Sequence, residues 1–173
     1  SIENIHKVID PLFLDELKDE LNELKKVKQP AKLKKKASAF QDKLANLTFF
    51  DPACGSGNFL TETYLQLRRL ENDAIKLIYP NPSLDVGQAQ DIIKVSIQQF
   101  YGIEINDFAV SVAKTALWIA ESQMLEETKD IFYADWDFLP LKTYTNIHEG
   151  NALRMDWNEV IPSYACHYIM GNP

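Results

Sequence analysis

The residues Asp51-Pro52-Ala53-Cys54-Gly55-Ser56-Gly57-Asn58-Phe59-Leu60 combine a carboxylate with an open glycine turn. They follow an apolar run, Leu47-Thr48-Phe49-Phe50, and precede a long helical pattern. A strand, a tight glycine turn and a helix start in that order make a cradle for a small ligand. Gly55 and Gly57 permit backbone angles denied to other residues and let a ligand approach the main chain. Asp51 falls at the strand end, on the carboxyl edge where open α/β sheets bind ligands. Three other uses of such a turn fail. A dinucleotide fingerprint needs a third small residue where Leu60 stands, a phosphate-binding P-loop needs a terminal Gly-Lys-Ser/Thr, and Ser56 has the wrong glycine spacing for a nucleophile elbow.

A second carboxylate sits in Tyr101-Gly102-Ile103-Glu104-Ile105-Asn106. At a strand end, Glu104 suits a ribose diol, because its two oxygens can accept both hydroxyl protons. In a simple nucleotide fold this acid follows the glycine loop by about twenty residues. Glu104 lies much further on, so residues 71–99 must hold an extended helix and an insertion. Metal chemistry has no support: His6, His148, His167 and the two cysteines, Cys54 and Cys166, show no ligand spacing.

Positioning these groups requires alternating strands and helices. Asp10-Pro11 reads as the cap and first turn of a helix bearing Leu12, Leu14, Leu17, Leu21 and Leu24. Pro30 separates it from a second helix through Leu33, Ala37, Phe40 and Leu44. Strands are expected over 47–51, 100–105, around 146–148 and over 167–170. One helix should run from Asn58 to Ile78 and end before Pro80. Another should be capped by Asp107 and run through Val112, Ala116, Ile119 and Met124. Residues 83–90 read as a surface loop and 128–145 as irregular. The alternation implies right-handed crossovers and a parallel sheet, an α/β fold with helices on both faces. Trp118, Trp136 and Trp157 read as packing residues.

The 173 residues suffice for one sizeable core, and no apolar run is long enough to span a bilayer. The start lacks the basic and apolar regions of a signal peptide, and two cysteines suit a reduced, cytoplasmic protein without disulfides. A net charge of −7 argues against strong DNA binding by these residues alone. It is compatible with a catalytic module that receives DNA from a separate recognition region. The run Lys25–Lys36 admits two readings, phosphate contact or solvated helix face, and its lack of interleaved aromatics favours the second.

The ten residues from Asp51 to Leu60 resemble motif I of S-adenosylmethionine-dependent methyltransferases, in the form found in DNA adenine-N6 enzymes fused within bacterial restriction–modification proteins. The resemblance implies a partial Rossmann-like class I sheet. It makes 1–46 a helical lead-in and 47–173 a cofactor-binding core that stops within the Asn-Pro-Pro-aromatic motif. It implies S-adenosylmethionine as cofactor, held by Asp51, Pro52, Ala53, Cys54, Gly55, Gly57, Asn58, Phe59, Glu104 and Ile105, with Asn151 and Ala152 at the adenine edge. In Gly171-Asn172-Pro173 it makes Asn172 and Pro173 the catalytic residues. An adenine N6 lone pair is delocalised into the ring, and an amide oxygen and a backbone carbonyl that accept its protons would favour a more nucleophilic nitrogen. Cytosine-C5 enzymes place their Pro-Cys after a later strand, so Cys54 is not expected to be a nucleophile. The implied partners are DNA and the remainder of a parent polypeptide, with no membrane, and the isolated chain is expected to be inactive. Methylation of cytosine N4, RNA or protein glutamine stays open beside the adenine reading, as does a non-catalytic cofactor-binding or assembly module.

Overall fold

Four short strands pair in parallel in the order β3-β2-β1-β4 in this computed structural model, which describes residues 1–82, 89–133, 144 and 146–172. They are β1 (Phe49–Asp51), β2 (Phe100–Glu104), β3 (Ile147–Glu149) and β4 (Tyr168–Ile169). The helices are α1 (Ile2–Ile9), α2 (Asp15–Lys25), α3 (Pro30–Asn46), α4 (Asn58–Ile78), α5 (Ala89–Ile92) and α6 (Asp107–Phe132). The parallel α/β sheet is the one expected from the alternation of strands and helices. No helix among the described residues is long and apolar enough to cross a membrane.

Period-two alternation sends successive strand residues to opposite faces. Phe49 and Phe100 enter the large core with α1 to α4 and α6, whereas Phe50 and Ile103 meet Val160, Ile161 and Trp157 on the other face. That second face is therefore covered, among the described residues, by the segment after β3 rather than by a long helix. The register sets Phe49 opposite both Phe100 and Tyr168. Their rings stack at 5.2 and 5.4 Å across three strands. Phe13 meets Phe49 edge-on at 5.0 Å and Tyr64 meets Phe100 at 5.7 Å. Each pair contributes about 0.5–1.5 kcal/mol beyond area burial.

Several sequence expectations are corrected. Asp10-Pro11 does not open the first helix; the helix begins at Ile2 and passes through a π-helical turn, Asp10–Leu14, into α2. Proline has no N–H for the carbonyl four residues back, and a wider turn accommodates it without ending the helix. Asn106, not Asp107, caps α6, its Oδ1 accepting from the Ala109 amide at 3.1 Å. The buried stripe of α6 is Val110, Ala113, Leu117, Ala120 and Met124, so Ile119 is exposed. The same stripe continues through Thr128 to Phe132, which extends the helix into residues expected to be irregular. Of the expected loop 83–90, residues 89 and 90 instead open a helical turn, Ala89–Ile92, and 83–88 lie outside the described residues, as do Trp136 and most of 134–145. Trp118 and Trp157 pack against the two cores as expected.

A buried polar cluster ties the insertion to the helices. Arg68 and Glu71, both at 1% exposure or less, form an ion pair on α4. Glu71 Oε1 also accepts from Gln41 Nε2 at 2.7 Å, the Lys94 amide at 2.6 Å and the Val95 amide at 3.1 Å. Arg68 donates on to Thr128 of α6 at 2.7 Å. The cluster joins α3, α4 and α6 to the segment that feeds β2. Glu71→Gln leaves the Arg68 charge buried without its counter-ion, and should lower the unfolding free energy by about 3–5 kcal/mol in chemical denaturation.

Candidate functional site

Parallel pairing brings the ends of all four strands to one edge. Asp51 stands opposite Gly102 and Glu104 opposite Glu149, while the β4 chain continues through Gly171 to Asn172. The expected site residues Asp51, Glu104, Asn151 and Asn172 thus lie at four neighbouring strand ends. Pro173 lies outside the described residues.

The turn after β1 is held by β2. The Cys54 amide donates to the Ile103 carbonyl at 3.0 Å, and the Gly57 amide to the Cys54 carbonyl at 2.8 Å. Glu104 clamps it from above: Oε2 accepts from the Gly55 amide at 2.9 Å and Oε1 from the Asn106 amide at 3.0 Å. Each carboxylate oxygen has further acceptor capacity, so the group is oriented and still able to take two hydroxyl protons.

The two glycines serve different ends. Gly55 has φ +54 and nothing within 4 Å of where a Cβ would stand, so its missing side chain leaves open space. Gly57 has φ +80, and a Cβ there would stand 3.0 Å from the Ala113 Cβ, so its bareness lets α4 and α6 approach. Cys54 turns its side chain into the core, and burial, with the nearby charges of Asp51 and Glu104, pushes its thiol up to about 12. It contributes backbone to the turn and holds no reactive thiolate. Phe59 packs partly against the same core, while Asn58 is exposed at the start of α4.

Asp51 is 2% exposed, and the Ala53 amide, donating at 3.0 Å, is the hydrogen-bond donor found on it among the described residues. Burial, opposed by that hydrogen bond and reinforced by the Glu104 charge, pushes its carboxyl up to about 6. Gly171 presses against it: with φ +153, a Cβ would stand 2.5 Å from Asp51 Oδ1. A cleft of about 350 Å³ opens here between Asp51-Pro52-Ala53 and Ile169-Met170-Gly171, walled by Val8 and Leu12. Asn151 Oδ1 accepts from the Leu153 amide at 2.9 Å, and its NH₂ has no partner among the described residues. The Ala152 carbonyl is taken by Trp157 Nε1 at 2.8 Å. Ile105 and Phe108, which follow Glu104 closely in the chain, are exposed by 67% and 74%.

Three of these residues were missed in the sequence. Phe108 carried no signal: four residues before Val112, it lies on the stripe expected for that helix, and only the structure, which buries Val110, Ala113 and Leu117 instead, leaves it exposed. Val8 and Leu12 carried none, because a helix expected to open at Asp10 hides Val8 and gives Leu12 to the core. Among the described residues no group of histidine, cysteine and acids could hold a metal.

Similarity to known proteins follows the same geometry. A family model described as the MmeI DNA-methyltransferase domain matches residues 24–173. DNA methyltransferase A of Bacillus subtilis is 44% identical over 176 residues, covering 100% of this chain and 19% of that protein. The adenine-specific methyltransferase PglX of Streptomyces coelicolor is 32% identical over 74 residues, 43% of this chain and 5% of its own length. The solved Type IIL restriction–modification enzyme MmeI, in complex with DNA, superposes with a TM-score of 0.89 and 42% identity over 100% of this chain and 22% of its own. The chain spans about a fifth of the length of the two relatives that it matches throughout.

Two outcomes are expected. Gly57→Ala should lower stability by roughly 1–3 kcal/mol through strain and the Ala113 contact, and Gly55→Ala by about 1 kcal/mol, as read by urea unfolding. Asp51 is neutral in both folded and unfolded chains below about pH 4. Above about pH 6 the folded chain must bury its charge, so its contribution to stability falls as pH rises between those limits. Asp51→Asn should therefore gain stability relative to the parent chain between pH 4 and pH 8, by roughly 2–3 kcal/mol; a pH-independent difference would refute it.

Proposed function

The chain belongs to the MmeI DNA-methyltransferase domain family, and from that premise we propose that it forms the S-adenosylmethionine-binding part of an adenine-N6 DNA methyltransferase in a restriction–modification enzyme. The observation that carries the reading is the Glu104 clamp on Gly55 beside the buried, under-bonded Asp51. Two acids around an open glycine turn suit a ligand that is cationic and carries a diol. S-adenosylmethionine meets both conditions, and when bound it supplies an electrophilic methyl group on a sulfonium centre.

The chain's own residues divide the work. Asp51 offers its carboxylate to the ligand's positive charge, and Glu104 accepts from the ribose hydroxyls. Ile105 and Phe108 give the purine an apolar surface, and the Asn151 amide donates to its edge. The bareness of Gly55 leaves room for the ligand against the main chain. Asn172 accepts from the target amine through its side-chain oxygen, joined by the Pro173 carbonyl. A paired adenine hides that amine, so the base must leave the duplex to reach the end of β4. The PglX likeness and the Asn-Pro pair support adenine as the base; the DNA and restriction–modification context is supported by likeness to DNA methyltransferase A and to the restriction–modification enzyme MmeI.

Calorimetric titration with S-adenosylmethionine tests the site. Saturable binding is expected, weakened about 10²- to 10⁴-fold by Glu104→Ala, since two charge-assisted hydrogen bonds contribute roughly 1.5–3 kcal/mol each. Gly55→Leu should block it without a matching loss of fold. Affinity should tighten from pH 5 to pH 7.5 as Asp51 ionises. Equal binding by the parent and Glu104→Ala chains would sink the assignment.

A further inference from the structure

Seven of the chain's 18 lysines and arginines fall in the twelve residues 25–36, where no acid occurs, leaving 11 cations against 25 acids elsewhere. In the structure this run ends α2 and opens α3. Lys25 and Lys26 reach Asp73 and Glu23. Lys28, Lys32, Lys35 and Lys36 are exposed with no carboxylate partner among the described residues, and Lys34 lies 5.9 Å over the Tyr79 ring. Like charges so close repel one another, and the first turn of α3 holds no acid to offset them.

Two of these lysines, Lys28 and Lys34, stand at the rim of an apolar depression. A groove of about 570 Å³ runs between the start of α3 and the end of α4, floored by Leu33, Leu77, Ile78 and Pro80. Lys28, Lys34 and Lys76 stand at its edge. An apolar floor within a cationic rim matches an amphipathic segment with acidic flanks. DNA phosphates match the rim alone, since a phosphodiester has nothing to bury on the floor. Position argues the same way. The 21 residues of α4 carry the groove ~30 Å from the glycine turn, at the end opposite the strand edge where a target base must enter.

We propose that this face docks an acidic, amphipathic stretch of the same polypeptide lying outside these residues. The relatives matched over the whole chain are about five times its length, so such a polypeptide has ample further sequence to supply the partner. The interaction is structural and leaves the cofactor site untouched.

Zero-length carbodiimide cross-linking of the intact parent protein, read by mass spectrometry, tests this. Lys28, Lys32, Lys34 or Lys35 should be joined to an aspartate or glutamate outside 1–173. Those links should disappear in Lys28→Glu/Lys34→Glu/Lys76→Glu, while S-adenosylmethionine binding stays within about twofold. Links confined to acids of this chain, such as Glu23 or Asp73, would overturn the proposal. So would links only between two copies in mixed isotope-labelled samples. Loss of lysine reactivity on adding duplex DNA, without any such link, would assign the face to phosphate instead.

Discussion

Parallel pairing of Phe49–Asp51 with β2 on one side and β4 on the other is the constraint on which the rest depends. Antiparallel neighbours would send alternate strand ends to opposite edges. Here every strand leaves its chemistry on the same edge, so Asp51, Glu104, Asn151 and Gly171–Asn172 converge although they are spread over 120 residues. The pairing is secured on the core face by the stack of Phe100, Phe49 and Tyr168, one ring from each of three strands. Phe13 seals that stack from the helical lead-in, so the N-terminal segment belongs to the same hydrophobic cluster as the sheet.

On that frame the site is built by accepting unfavourable local choices. Asp51 is buried with one amide donor among the described residues and a second acid close by, an arrangement that disfavours its charge. The same desolvation strengthens its attraction for a cation that enters the cleft. Gly171 shows how close the β4 end must come, since any side chain there would strike the carboxylate. A single buried acid thus touches both the turn that would hold the cofactor and the strand end that would address the base.

The lead-in acts on the site as well as on the core. The π-helical turn absorbs Pro11 without breaking the helix, and Val8 and Leu12 then wall the cleft above Asp51. His6 pins this helix to α4, its ring nitrogens 2.7 Å from Asp10 and 2.9 Å from Glu62, and the hydrogen bonds to the two acids raise its pKa. The wall is therefore fixed at its polar side as well as through Phe13.

Local features written in contiguous residues were legible without coordinates. The Asp51–Leu60 turn, the α4 span and its end before Pro80, and the acid at the end of β2 each depend on neighbours a few residues apart, and short-range sterics and periodicity determine them. The sequence alone also identified the family, because ten contiguous residues carry its glycine turn. Tertiary structure decided what depends on partners distant in sequence. It divided the labour between Gly55 and Gly57, turned Cys54 inward, set the α6 stripe one residue off the expected one and placed Val8 and Leu12 over the cleft. A side chain's role there follows from what packs opposite it, and no local pattern carries that information.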